Sequence, residues 1–223
     1  MEYLIAALLF GGFLLAAKSF FFSFRAQSPD DYAETGPAFS MNEHLNGEIR
    51  SEGVIYGPRG RMSSRFVARM VGEWDGNSGT LTEDFTYSTG RRQQRKWHLT
   101  LGPGNKITGT ANDIVGEAQG KVSGATAMLR YRIVLPPEAG GHKLDTTDWM
   151  YLTADGAIMN KSEMRLFGVK VAELVATLRP DWQAAEKDPI ASRGEETKAV
   201  LSDSALRPGV YEAGLAAGAR QTF

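Results

Sequence analysis

The 223-residue chain contains no cysteine. That single absence removes disulfides, thiol catalysis, cysteine-ligated zinc and any lipid-bearing cysteine. An excess of basic charge is missing as well, since the formal net charge is -1, so nothing chain-wide marks a nucleic-acid binder. The local run Arg91, Arg92, Arg95 and Lys96 reads as a solvated hairpin tip. His44, His98 and His142 stand apart without metal-ligand spacing, and neither a phosphate loop nor a dinucleotide fingerprint occurs. Gly76-Asn77-Ser78-Gly79 lacks the G-x-S-x-G spacing and strand-to-helix context of a nucleophile elbow and reads as a turn. No cofactor is implied.

What is present begins with a hydrophobic N-terminus. Residues 3–17, YLIAALLFGGFLLAA, carry no charge, and beyond Lys18 the apolar character resumes through Phe24 before Arg25. Spanning a bilayer takes roughly 20 residues, with a lysine near the interface able to snorkel. The segment has no basic leader region and no convincing small-x-small cleavage site, which argues against a cleaved signal peptide. Residues 1–27 are therefore expected to form an uncleaved membrane anchor, a signal-anchor helix. Lys18 and Arg25 both follow the apolar run, so the positive-inside rule by itself leans towards a cytoplasmic domain.

From Phe39 to Arg179 short apolar-polar alternations are separated by glycine- or proline-bearing turns, as in an all-β barrel or sandwich. The clearest is TAMLRYRIVL at 126–135, where Leu129, Tyr131, Ile133 and Leu135 share one face. Connections such as Asp75-Gly76-Asn77 and Gly102-Pro103-Gly104 are too short for a parallel crossover. The expected fold over residues 28–180 is an antiparallel up-and-down barrel, with an open sandwich as the alternative. Residues 181–223 are polar, rich in small residues and interrupted by Pro189 and Pro208. They are expected to be a disordered tail with at most one short helix near Glu195 to Ser202.

Two charges break the inner pattern. Glu83 alternates in phase with Leu81, Phe85 and Tyr87, and Arg95 with Trp97, Leu99 and Leu101, so both point inward. Burying either alone is costly, which implies pairing with one another or with a ligand head group. An ion pair at a wet barrel mouth and a ligand anchor are both compatible with the pattern. On the next strands Gly109, Ala111, Ala118 and Gly120 put small residues on the inner face, which either fit the taper of a filled barrel or leave a cavity. In the second case Glu83, Arg95, Asp113 and Asp148 form its polar rim, and Trp97 and Tyr131 belong to its walls.

Several phrases together carry a family resemblance: DDYAETGPAF at 30–39, LNGEIRSEG at 45–53, GEWDGNSGTLTEDFTYSTG at 72–90, NDIVGEAQG at 112–120, DWMYL at 148–152, and the segment from Asn160 through Lys170. Over residues 30–179 the chain resembles the uncharacterised bacterial envelope family catalogued as domain of unknown function 3833. The resemblance implies an envelope protein, a domain outside the cytoplasm and a lipocalin-like (calycin-like) barrel. Family members are typically predicted lipoproteins, whereas here an apolar helix stands in for the lipidated cysteine. The implied location is the inner membrane, single-pass, with the domain on the periplasmic side. The expected function is non-catalytic binding or presentation of a lipid or fatty-acyl ligand beside the membrane. An envelope assembly module contacting a protein partner through its outer face and tail is the alternative, and a carboxylate-based hydrolase or isomerase ranks third.

Overall fold

The structure, a computed structural model, describes residues 1–181. Ten antiparallel strands close into one barrel: β1 (Gly47–Tyr56), β2 (Met62–Asp75), β3 (Ser78–Tyr87), β4 (Arg92–Gly102), β5 (Lys106–Ala111), β6 (Ala118–Ser123), β7 (Thr126–Val134), β8 (Lys143–Leu152), β9 (Ile158–Leu166) and β10 (Val169–Pro180). Each strand pairs with its sequence neighbour, and β1 pairs with β10 to complete the ring. The open sandwich is thereby excluded and the up-and-down barrel stands. Tight turns make the meander possible. Gly76, at φ +56°, supplies the left-handed conformation of the two-residue link in which Asp75 faces Ser78.

Alternation decides what goes inside. Phe66, Ala68 and Met70 of β2, Trp97 and Leu99 of β4, Leu129, Tyr131 and Ile133 of β7, and Ala176 and Leu178 of β10 are all buried in one core. The segment ahead of β1 fills one end. Met41 and Leu45 are each 1 % exposed, and a one-turn helix over Met41–His44, held by the Leu45 N–H donating to the Met41 carbonyl, places them there. Burying two such side chains contributes roughly 1.5–3 kcal/mol apiece. Trp74 Nε1 donates to the Leu45 carbonyl at 2.9 Å. The strand beneath comes close enough only because residue 72 lacks a side chain: a Cβ on Gly72 would overlap the Leu45 carbonyl. Gly72→Ala is therefore expected to lift this floor and cost about 1–3 kcal/mol, as overpacking does. Urea denaturation gives the loss, and faster hydrogen exchange at the Trp74 indole locates it.

Residues 24–38 run along the outside of the barrel. Tyr32 sits edge-on to Trp149 at 5.3 Å and to Tyr151 at 5.9 Å. The hydroxyls of Tyr32 and Tyr151 both donate to Gln27 Oε1 at 2.6 Å. Trp149, on the outward phase of β8, is consequently only 1 % exposed.

The membrane anchor is a correction. A helix α1 does form over Glu2–Phe21, but the chain then bends into a 3-10 turn at Phe24–Ala26. The apolar run thus fails to continue as helix to Phe24. Its charge-free part, residues 3–17, spans about 22 Å at about 1.5 Å per residue against a hydrocarbon core of roughly 30 Å. Among the described residues no helix is long and apolar enough to cross a membrane. The expected anchor over 1–27, and the single-pass inner-membrane location with a periplasmic domain that was built on it, are overturned together. The expected disordered tail, and the partner contact assigned to it, lie outside the described residues.

Candidate functional site

The strands enclose a cavity of about 510 Å³. It reaches from Met41 and Leu45, which floor it, to Thr89, Arg91, Pro136 and Ala139 at the opposite end. Most of its wall is apolar, including Met70, Leu81, Phe85, Leu129, Ile133 and Met150. Trp97 stands edge-on to Tyr131 with ring centroids 5.2 Å apart, so the two aromatic residues named from the alternation share one stretch of wall.

Set into that wall is a polar cluster from five strands. Glu83 and Arg95 face each other directly across the β3–β4 ladder. Their side chains are about nine-tenths buried, and Arg95 Nε lies 3.9 Å from Glu83 Oε2, an ion-pair distance but not a hydrogen bond. Arg95 gives its hydrogen bonds elsewhere, Nε and Nη2 donating to Asp113 Oδ2 at 2.9 and 2.7 Å. Asp113 belongs to the loop after β5 and braces Arg95 without itself lining the cavity. Farther round, Tyr131 Oη donates to Asp148 Oδ2 at 3.3 Å. Ser162 Oγ, at 2.7 Å, and Asn160 Nδ2 both donate to Asp148 Oδ1.

Electrostatics follow from burial. Desolvation pushes the Glu83 carboxyl from 4.5 up to about 7, because the nearby Arg95 charge offsets only part of that cost while Asp148 and Asp113 add to it. Asp148 is raised by burial too, against the pull of its Ser162 and Asn160 donors. Burial works against the charge on Arg95, but Tyr131, Glu83 and Asp113 outweigh it and hold the guanidinium protonated. The Tyr131 phenol is pushed up by burial and by Asp148. At neutral pH the cluster therefore contains one carboxyl poised between its two forms.

Five of the six residues singled out in the sequence, Glu83, Arg95, Trp97, Tyr131 and Asp148, line the same cavity, and Asp113 stands one layer behind. Two expectations change. Glu83 and Asp148 sit at the middle of their strands, β3 and β8, so the polar groups form a belt inside the wall instead of a rim or a wet mouth. Gly109 and Ala111 do not line the cavity. A Cβ on Gly109 would already press on the Leu99 side chain and the His98 carbonyl, so its smallness serves packing. Sequence reasoning missed Asn160, Ser162 and Ser51, all of which line the cavity. The phase that marks Glu83 also marks Asn160 and Ser162, which share the inward face of β9 with Ile158 and Met164.

No match is found among curated proteins. Among solved structures, the chain is similar to the crystal structure of Rv2717c from M. tuberculosis, at 16% identity and a TM-score of 0.49 over 66% of this chain and 99% of that one. It is also similar to the S-type phycobiliprotein lyase CPES from Guillardia theta, at 9% identity and a TM-score of 0.49 over 70% of this chain and 98% of that one. A redesigned beta barrel, mFAP0, bound to DFHBI, follows at 12% identity and a TM-score of 0.36, over 61% and 98% of the two chains. The family model described as protein of unknown function (DUF3833) matches residues 18–180, covering all ten strands, and the chain belongs to that family.

Proposed function

We propose that this barrel is a non-catalytic binding protein for a small lipid-like amphiphile, taken into the cavity with its apolar part against the walls and its polar end at the Glu83 belt. The observation that carries this reading is a cavity of about 510 Å³ with an apolar wall and one inward polar cluster. That volume lies within the roughly 300–1,000 Å³ of small-molecule sites, which combine apolar walls with a few placed polar groups. Burying about 300 Å² of ligand chain contributes roughly 7 kcal/mol at about 25 cal/mol per Å². Association costs at least about 4 kcal/mol, so the walls alone fall short of the roughly 8 kcal/mol of micromolar binding. The polar belt has to supply the remainder. Carboxylate-based catalysis draws less support, because Asp148 is held by three donors and Asp113 is committed to Arg95.

The full chain, purified from a bacterial host without detergent, is expected to carry an apolar adduct in native mass spectrometry. Ser51 lines the cavity at 1 % exposure, and its hydroxyl has no hydrogen-bond partner. Ser51→Leu is expected to fill part of the space and sharply reduce the adduct while leaving the denaturation midpoint unchanged or higher. An empty chain that also binds no polarity-sensitive apolar fluorophore would overturn the proposal.

A further inference from the structure

The hydrogen bonds of the cavity wall are unevenly matched. Within the polar belt the donors turn to protein acceptors: Arg95 to Asp113, Tyr131 and Ser162 to Asp148, and Asn160 to Asp148 and the Trp149 carbonyl, while outside it Ser51 keeps an unpartnered hydroxyl. An acceptor is left over. Glu83 Oε2 is buried, accepts no hydrogen bond and belongs to a residue that lines the cavity. Charge is uneven in the same sense, with Glu83, Asp113 and Asp148 set against the single guanidinium of Arg95. Arg91, at the far end of the cavity, is paired with Glu138 at 3.6 Å.

We infer that the cavity selects an apolar ligand whose polar end is a protonated amine received by Glu83, and that it rejects free carboxylates of the same chain length. The inference rests on the reading of the barrel as a binding protein and adds the chemistry of the head group. A carboxylate entering the belt meets surplus negative charge, and Arg95, the cation of the belt, already gives two hydrogen bonds to Asp113. An ammonium brings both the donor that Glu83 Oε2 lacks and the counter-charge that Arg95 gives mainly to Asp113. An alcohol can supply the donor but not the counter-charge that a buried carboxylate needs, so an amine outranks it at this position.

Binding is linked to pH through the groups around Glu83. Arg95 faces it from β4 and Met70 from β2. Tyr131 and Asp148 face it from β7 and β8, Tyr87 lies farther along β3, and Asp113 sits behind Arg95. Without ligand the Glu83 carboxyl titrates at about 7. An alkyl ammonium, close to lysine at about 10.4, remains charged well above that. The complex needs the ionised carboxylate, so amine affinity levels off above pH 7 and falls by up to about tenfold per pH unit below it.

The test uses the full chain and three probes of equal length, dodecylamine, dodecanoate and dodecan-1-ol, titrated calorimetrically. At pH 8 the amine is expected to bind at least about tenfold more tightly than dodecanoate. Lowering the pH to 6 should weaken the amine and leave the alcohol unchanged. Glu83→Gln keeps the size of the side chain and is expected to erase the amine preference and its pH dependence. Dodecanoate binding as tightly as the amine, or an amine preference that survives in Glu83→Gln, overturns the head-group assignment while the binding role stands. Failure of all three probes to bind overturns both.

Discussion

Glu83→Gln is expected to raise the stability of the folded chain at pH 8 by roughly 3 kcal/mol. Burial raises the folded-state pKa of Glu83 from 4.5 to about 7. Between those values the unfolded chain has released this proton and the folded chain has not, so stability falls as pH rises through the window. Below 4.5 the two states hold the proton alike and no penalty exists. Above 7 the penalty is complete, and at about 1.4 kcal/mol per pH unit it comes to roughly 3 kcal/mol. Glutamine has nearly the same shape and no charge to desolvate. Urea denaturation at pH 4 and pH 8 separates the outcomes: the two proteins should nearly coincide at the lower pH and diverge at the higher. Curves that stay parallel at both values would mean that Glu83 is solvated in the folded chain.

Arg95→Met has the opposite sign and a larger effect. It keeps apolar bulk beside Trp97, over whose ring the guanidinium lies at 5.5 Å, and removes the only cation bonded to Asp113 among the described residues. A buried ion left without its partner costs about 3–5 kcal/mol, and that loss is expected in the free energy of unfolding at pH 7. The geometry also ranks the partners, since Arg95 holds Asp113 by two hydrogen bonds and stands 3.9 Å from Glu83. Double-mutant cycles should return a larger coupling for Arg95 with Asp113 than with Glu83. Equal couplings would show that Arg95 divides itself between them in solution.

The barrel was legible because β7 states its phase plainly, with Leu129, Tyr131 and Ile133 inward, and because short turns forbid crossovers. The same phase placed Glu83 and Arg95 inside. Phase assigns a face but neither a depth nor a partner on another strand, which is why a belt inside the wall was read as a rim. The competition for Arg95 is settled by the β4–β5 register, in which Trp97 faces Ala111. Continuing that ladder beyond its last pair brings Asp113 opposite Arg95, and no feature of the β3–β4 hairpin contains that information. The floor was hidden for a different reason. Residues 39–45 have no strand alternation, and their burial depends on a glycine far along the chain, Gly72, leaving room for the Leu45 carbonyl. The N-terminal segment misled because hydropathy counts apolar residues without saying where the helix ends.

The seam between β1 and β10, where Ile49 meets Pro180, also determines how the chain has to assemble. Hairpins such as β2–β3 and β3–β4 close over a few residues and cost little entropy, whereas the seam joins the first strand to the last and its closure cost comes before any reward. Among the described strands it is the pairing of greatest sequence separation, and the ring is incomplete without it. Until Val169–Pro180 is in place, β1 and β9 both present open edges, the state in which sheets recruit other chains. Loss of β10 would accordingly do more than remove one strand in ten: it would turn a ring without edges into a ribbon with two.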